Sequence, residues 1–561
     1  MDGSVLILGG GINGASIARE LAMRGVPAVV VDCDDLACGA TSRSSRLIHG
    51  GVRYLEYAEF SLVREALHDR AHLLRCAPHL VKPLRFFIPL RSRFSGLRQA
   101  ICRFLGWPVG PRRTRGMTVV RFGLWLYDRF SRERDLPGAR VVRGGDDSAP
   151  RVDAAFRWQA VYDDAQVLYP ERLVVELLLD AQAAAGQTGA ELHVFTHTSA
   201  QLSDGAVKLT REKLQPGGEG EETVAEFRPS LIVNATGAWV DRTLRALDRD
   251  SRRLIGGTKG SHLLTYHAPL REALRGGALY AEAADGRPVF VLPLGDGVMI
   301  GTTDEPFEDP PDQAVCTATE RDYLIATVNS VIPGVGLESS HVVWTYCGVR
   351  PLPFVDSDNP ASTTRRHSLR EHEGSKPPLL SVIGGKITTY RSLGEEAAGE
   401  IANRLKRQVD PQTSSTDRLM PGAPIETEDE PTEASPPPQQ GLAAVQVDRL
   451  AAVFGRRGED VAELVEGDPG LAAAIGETDL PLAAVPFVVA NEWATSLEDV
   501  VERRLMLLYD RRFSRSALEQ VADQLVQCGC LEMSCKGEVV EQLLQRWEEI
   551  YHFHVDESRP P

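Results

Sequence analysis

At 561 residues the chain exceeds what one hydrophobic core can serve, since cores stop growing at about 250–300 residues, and two or three domains are expected. Its 43 % hydrophobic and 25 % charged residues exclude a disordered, fibrous or polytopic membrane class, and a formal charge of −16 excludes a nucleic-acid binder with a uniformly basic surface. Nine cysteines without a regular framework do not make a secreted disulfide scaffold, so a reducing compartment is expected. No apolar run reaches the roughly 18 residues that span a bilayer. An apolar strand begins directly after MDGS, so no secretory leader is expected, and the protein is read as cytoplasmic or attached to a membrane surface.

The first element is SVLIL, an apolar strand running into Gly9-x-Gly11-x-x-Gly14; a helical pattern and a second apolar strand follow, ending on Asp32, 18 residues after the last glycine. Gly9 permits a tight turn, and Gly11 lets the backbone amides of the following residues, Ile12 and Asn13, approach a pyrophosphate. Gly14 allows close helix–strand packing, and Asp32 accepts from ribose hydroxyls. The segment is read as a dinucleotide-binding βαβ unit.

Residues 91–143 differ from the rest, with 13 arginines, no lysine and only Asp128, Glu133 and Asp135 as acids, a local charge of +10. Phe94, Leu97, Ile101, Phe104, Leu105 and Trp107 interleave with Arg91, Arg93, Arg98 and Arg103. Such a basic amphipathic pattern suits an anionic lipid surface, and equally a helix packed on the protein with its arginines paired to the acidic remainder.

Short β-branched runs alternate with amphipathic helices up to about residue 409, an α/β pattern with an added antiparallel sheet. One run, Leu231–Asn234, leads into Ala235-Thr236-Gly237; flavoproteins with two dinucleotide-type folds carry such an ATG where a returning strand brings small residues against the cofactor, and with the N-terminal fingerprint it favours FAD over NAD. Residues 410–441, rich in Pro, Ser, Thr and acids, are expected to be a disordered linker. Residues 442–561 repeat apolar positions at three- and four-residue spacing and predict an all-α domain. There, Cys528, Cys530 and Cys535 have a C-x-C-x₄-C spacing that does not suit zinc, and with His552 and His554 they are read as ordinary residues of a helical domain, with no metal site.

Several longer motifs resemble the FAD-dependent glycerol-3-phosphate dehydrogenases, flavoproteins of the D-amino-acid-oxidase-like superfamily. They are Ser44-Ser45-Arg46-Leu47-Ile48-His49-Gly50-Gly51-Val52-Arg53-Tyr54-Leu55-Glu56, Lys259-Gly260-Ser261-His262, Gly301-Thr302-Thr303-Asp304, Trp344 to Leu352 (WTYCGVRPL), and Leu379 to Arg391 (LLSVIGGKITTYR). The resemblance runs from about residue 3 to 405, and more weakly around Asn491-Glu492-Trp493. It implies interleaved FAD-binding and substrate domains over 1–409, oxidation of sn-glycerol 3-phosphate to dihydroxyacetone phosphate with hydride passing to flavin N5, and electrons passed to a membrane quinone. It further implies a peripheral enzyme at the inner face of the cell membrane and allows a homodimer. The family's Asp-Ala-Arg-Leu run is replaced here, after Tyr162-Asp163-Asp164, by VLYPERLV, so those acids receive no role.

A phosphate dianion needs fixed cations, and Arg53, Arg350 and Lys386 each stand in glycine-flanked segments that leave room for a ligand. By alignment with the family, Arg365 joins them, with Arg366 one position away. A base must take the hydroxyl proton: His49 is the first candidate, as an imidazole that titrates near neutrality, and Lys259 the second, with Arg350 beside the reacting carbon and Tyr54 as hydrogen-bond donor. Similarity places Thr41, Ser42, Asp304, Gly385 and Thr388 against the flavin, along with Ala235, Thr236 and Gly237. Two other readings stand beside the dehydrogenase: an oxidase of the same substrate that uses O₂, and a flavin-binding interaction protein without turnover.

Overall fold

The computed structural model describes residues 1–57, 59–93, 116–131, 136–212, 221–249, 252–354, 366–408, 413–425 and 441–555, apart from the side chains at 53, 56, 57 and 212. Its first unit is β1 (Val5–Leu8), α1 (Ile12–Met23) and β2 (Ala28–Val31). Both strands are four-residue aliphatic runs buried on both faces, as central strands of a covered parallel sheet must be. β1 pairs in parallel with β2 on one side and with Leu231–Asn234 on the other, so that Leu8 stands beside Asn234. Leu192–Phe195 extends the sheet beyond β2, Leu379–Ile383 extends the opposite side in parallel, and Ser368–His372 ends that side antiparallel. The glycine-rich turn after β1 and the ATG after Leu231–Asn234, 226 residues apart along the chain, are thereby neighbours: Ala235 N donates to Leu8 O at 2.8 Å.

A second, ten-stranded sheet is mostly antiparallel. Its long strands Val81–Leu90 and Trp158–Val167 pair over ten residues, and Thr258–Thr265 is flanked by Gly297–Gly301 and Val342–Arg350. Behind it lie α2 (Phe60–Cys76) and α3 (Met117–Phe130); Val120, Leu124 and Tyr127 of α3 point inward at helical spacing, while Phe122 and Trp125 are about 60 % exposed. Thr198–Ser203, Ala206–Glu212 and Glu221–Phe227 form a three-stranded antiparallel sheet. The α/β class with an antiparallel substrate sheet and C-terminal helices is as expected.

The C-terminal helices share the substrate sheet's core. Trp344 on that sheet packs its ring 5.0 Å from Tyr509 and 5.6 Å from Tyr551, and one apolar cluster runs from Phe86 and Tyr346 to Phe513 and Trp547. The seam with the parallel sheet is ionic and buried: Arg172 holds Glu492 at 2.9 Å, and Arg503 and Arg504 hold Asp35 at 2.6 and 2.7 Å. The expected linker is also shorter than its composition suggested. Residues 413–425 are packed, with Met420 buried among the residues around α1, Arg418 on Asp180 at 2.8 Å, and Gly422 N donating to Glu176 at 3.2 Å. Residues 426–440 lie outside the described residues.

Candidate active site

The ends of β1 and Leu231–Asn234 open on a cavity of about 1630 Å³ that continues to the face of the antiparallel sheet. At its first end stands the N-terminus of α1. Gly11 caps that helix in an extended conformation with no side chain of its own to bond, which leaves the amides of Asn13 and Gly14 to an anion, while Ile12 N donates to Thr41 Oγ1 at 3.2 Å. The glycines are sterically required. A Cβ on Gly14 would fall 1.9 Å from Gly9 O, and Gly9 itself has φ +107° and presses on Ala235. Asp32 accepts from Gly10 N at 2.6 Å and from Asp34 N at 3.0 Å; burial pushes its carboxyl up to about 6.

The middle of the cavity is walled by Thr236, Gly237, Gly384, Gly385 and Thr388. Gly385 has φ +98° and crowds Asn13, whose Nδ2 donates to Gly384 O at 3.3 Å and whose Oδ1 is buried without a hydrogen-bond partner. An orphaned acceptor beside free helix-terminal amides fits the polar edge of a dinucleotide cofactor. Of the expected cofactor residues, Gly14 packs on Gly9 without lining the cavity and Asp304 pairs with Arg350, and Ser42 departs furthest. It is not part of the cavity wall, because its hydroxyl bonds back to Cys38 O and Gly39 O, within its own turn.

His49, Tyr54, Lys386, Arg350 and Asp304, from four separate segments, also line this cavity. Arg350 is braced by Asp304 Oδ1 at 2.8 Å, Thr302 Oγ1 at 3.1 Å and Thr303 O at 3.1 Å, which fixes the guanidinium fork. Gly260 is needed there, since a Cβ would lie 2.4 Å from Arg350 NH2. Lys386 Nζ stands 3.8 Å over the Tyr54 ring, a cation–π contact. His49 is held through its backbone N, which donates to Thr388 Oγ1 at 3.2 Å. Arg53 follows in the 3₁₀ turn Val52–Tyr57, its side chain outside the description, and Arg365 lies outside the described residues.

Lys259 does not belong to this group. Successive side chains of Thr258–Thr265 alternate between faces. Gly260 and His262 face the cavity, whereas Lys259 turns to the helix Ala318–Val331, donating to Glu320 at 2.8 Å and to Val315 O at 3.0 Å. The base candidate Lys259 is therefore corrected to an internal ion pair. The same alternation reveals His262, which the motif reading passed over: it stacks on Tyr346 at 4.7 Å, its Nε2 meets Ser45 Oγ at 2.8 Å, and burial with Arg350 and Arg46 nearby pushes it down to about 3. It is neutral at pH 7. An aromatic wall of Phe86, Tyr162, Tyr280 and Phe290 was equally unforeseen, for each ring comes from a different strand and no local pattern announces it. Asp163 and Asp164 are engaged by Arg85 and Arg70. Cys528, Cys530 and Cys535 are half-buried.

Residues 4–391 match the family described as FAD dependent oxidoreductase. A glycerol-3-phosphate dehydrogenase of Synechocystis is 34 % identical over 99 % of this chain and 97 % of its own, and a D-erythritol 1-phosphate dehydrogenase of Brucella abortus is 33 % identical over 89 % and 93 %. The fold of a Bacillus halodurans glycerol-3-phosphate dehydrogenase complexed with FAD superimposes with a TM-score of 0.68 at 20 % identity, covering 100 % of this chain and 96 % of that one.

Proposed function

The chain belongs to the FAD-dependent oxidoreductases and, within them, to the glycerol-3-phosphate dehydrogenases, and from that premise we propose that it oxidises sn-glycerol 3-phosphate to dihydroxyacetone phosphate in this cavity. The observation that carries this reading is that two cations, Arg350 and Lys386, and His49 line one cavity that begins at the N-terminus of α1. When bound, FAD supplies the two-electron oxidant that takes the C2 hydride. The uncapped amides of α1, Asn13, Asp32 and the glycines at 237, 384 and 385 hold it.

Arg350, with its fork set by Asp304 and Thr302, and Lys386 bind the substrate phosphate, joined by Arg53 and Arg365 from the resemblance. Fixing the phosphate holds C2 in place, so binding energy from a remote group is used at the reacting carbon. His49 takes the C2 hydroxyl proton as the carbonyl forms. Tyr54 donates a hydrogen bond to the substrate. His262, neutral and flanked by Arg350, adds no charge that would compete for the phosphate. A membrane quinone is the physiological oxidant, reached from the inner face of the cell membrane. The basic segment 91–143 serves to meet anionic lipid, with the exposed Phe122 and Trp125 on α3 as its described apolar contacts; a homodimer completes the reading.

The test is anaerobic mixing of the flavin-loaded protein with sn-glycerol 3-phosphate. Bleaching of the flavin absorbance at substrate concentrations below those needed of D-erythritol 1-phosphate is expected. The reverse order would move the substrate to the four-carbon polyol, and no bleaching by either would overturn the proposal. Peroxide released in air without added quinone would assign the oxidase reaction instead.

A further inference from the structure

The loop that carries His49 is held from behind by groups that do not line the cavity. Leu47–Ile48 is a two-residue strand, and after it the chain turns sharply through His49, Gly50 and Gly51 into the Val52–Tyr57 turn. Gly50 N donates to Tyr127 Oη at 2.8 Å, while that hydroxyl donates to Asp164 Oδ2 at 2.8 Å. Arg70 NH1 in turn donates to Asp164 Oδ1 at 2.7 Å. Tyr127 is on α3, Asp164 on Trp158–Val167 and Arg70 on α2, so three elements meet on one amide, and all three side chains are buried.

The fit at this amide is tight. A Cβ on Gly50 would lie 2.5 Å from Tyr127 Oη and 2.6 Å from Leu67 of α2. Gly51 has φ +72°, and a Cβ there would strike the Tyr54 ring at 2.2 Å. The turn is thus compressed between α2 and α3 on one side and Tyr54 on the other, and Thr388 holds the neighbouring His49 amide from the cavity wall. A hydroxyl has one proton and lone pairs to accept with. Because Asp164 takes the proton, Tyr127 can only accept from Gly50, and the direction of the chain of bonds is fixed. Burial, and then the Asp164 charge, push the phenol well above its ordinary 10, so it stays protonated across the working pH range.

The geometry points to Tyr127 as a positioning residue for the oxidation: through the Gly50 amide it sets the turn that aims the His49 imidazole. The inference rests on the reading of His49 as the base. Its signature follows from where the phosphate is bound. Arg350 and Lys386 come from other segments, whereas Arg53 and Tyr54 continue this turn, so loss of the Tyr127 hydroxyl disturbs the chemical step more than substrate binding.

The test compares wild type with Tyr127→Phe, in flavin-loaded protein, by the single-turnover rate of flavin bleaching with sn-glycerol 3-phosphate per bound flavin. About a tenfold or greater fall in that rate, larger than any rise in KM and with flavin content within twofold of wild type, is expected. An unchanged rate, or one that falls only in step with flavin content, would overturn the assignment. Hydrogen exchange of the peptide spanning residues 48–52 in the wild-type holoenzyme gives a reading that needs no variant to fold. Slow exchange at Gly50 is expected, and exchange at the unprotected rate would overturn it. His49→Ala with undiminished single-turnover bleaching would instead overturn the choice of base and leave the hydrogen-exchange result standing.

Discussion

Lys259 and His262 lie three positions apart on one strand and look in opposite directions, and a substitution at Lys259 should behave differently from one at His49. Lys259→Met leaves Glu320 with Ser261, Thr303 and Thr317 as donors, so the loss is one ion pair, on the order of 2 kcal/mol. The expected result is a lower unfolding midpoint in denaturant with the pH profile of kcat/KM unaltered; a lost basic limb in that profile would restore Lys259 to the mechanism. His49→Ala should reduce kcat by about 10²- to 10⁴-fold with flavin still bound, read by turnover assay and by the absorbance of the purified protein. A motif can name the strand that borders a site, but not which of its faces does so. That is decided by pairing with Gly297–Gly301 and Val342–Arg350, distant in the chain, which is why the Lys-Gly-Ser-His motif suggested the wrong member.

Among the elements, α1 and its turn could be read because the strand, glycines, helix and acid that make them lie within residues 4–32, and two glycines, Gly9 and Gly14, whose replacement would collide with backbone leave a plain trace. The linker was overread for the opposite reason. Its average composition is that of a solvated chain, yet Met420 inserts into the packing around α1 while Arg418 and Gly422 bond to Asp180 and Glu176, and an average does not weigh a few anchors. α3 sits between these cases: its inner face of Val120, Leu124 and Tyr127 is helical in period, and its outer face carries Phe122 and Trp125, stacked at 5.8 Å and exposed. With the arginines of the same segment, this face should pellet with vesicles containing anionic lipid at low salt and be released at high salt. Phe122→Ser with Trp125→Ser should weaken sedimentation several-fold, and unaltered sedimentation would remove α3 from the contact. Among the described residues no helix is long and apolar enough to cross a membrane.

At the scale of the whole molecule, the seam between the parallel sheet and the C-terminal helices is where acid should act first. Burial alone would raise the Glu492 carboxyl, but the guanidinium of Arg172, followed by those of Arg457 and Arg504, outweighs it and holds the group down to about 2. A carboxyl depressed in the folded state stabilises the fold fully above its unfolded value near 4.5, and the contribution is lost as pH falls from there toward 2. Intrinsic fluorescence in an acid titration should show the helices loosening in that window. Glu492→Gln should abolish that acid dependence while costing about 3–5 kcal/mol at neutral pH, because Arg172 is left buried without its carboxylate. Sequence reading separated this region as a domain of its own, since periodicity within each helix is visible and partners hundreds of residues away are not. Asp35, His197 and Asp499 illustrate the same limit: their ligand-type atoms lie within 4.8 Å of one another, but Arg503 and Arg504 already balance the charge of Asp35.

That seam also sets an order in time. Asp35 stands on the loop leaving β2, and its partner Arg504 is 469 residues later. The strands on the other side of β1 are late as well, Leu231–Asn234 and then Leu379–Ile383. At synthesis rates of about 5–20 residues per second, the first βαβ unit waits roughly 25–90 s between leaving the ribosome and meeting the arginines that neutralise its buried acid. For that interval the nucleotide-binding loop has its glycines and its amides but not its final support, so a nascent chain stalled short of residue 504 holds an unfinished cofactor site however complete its fingerprint.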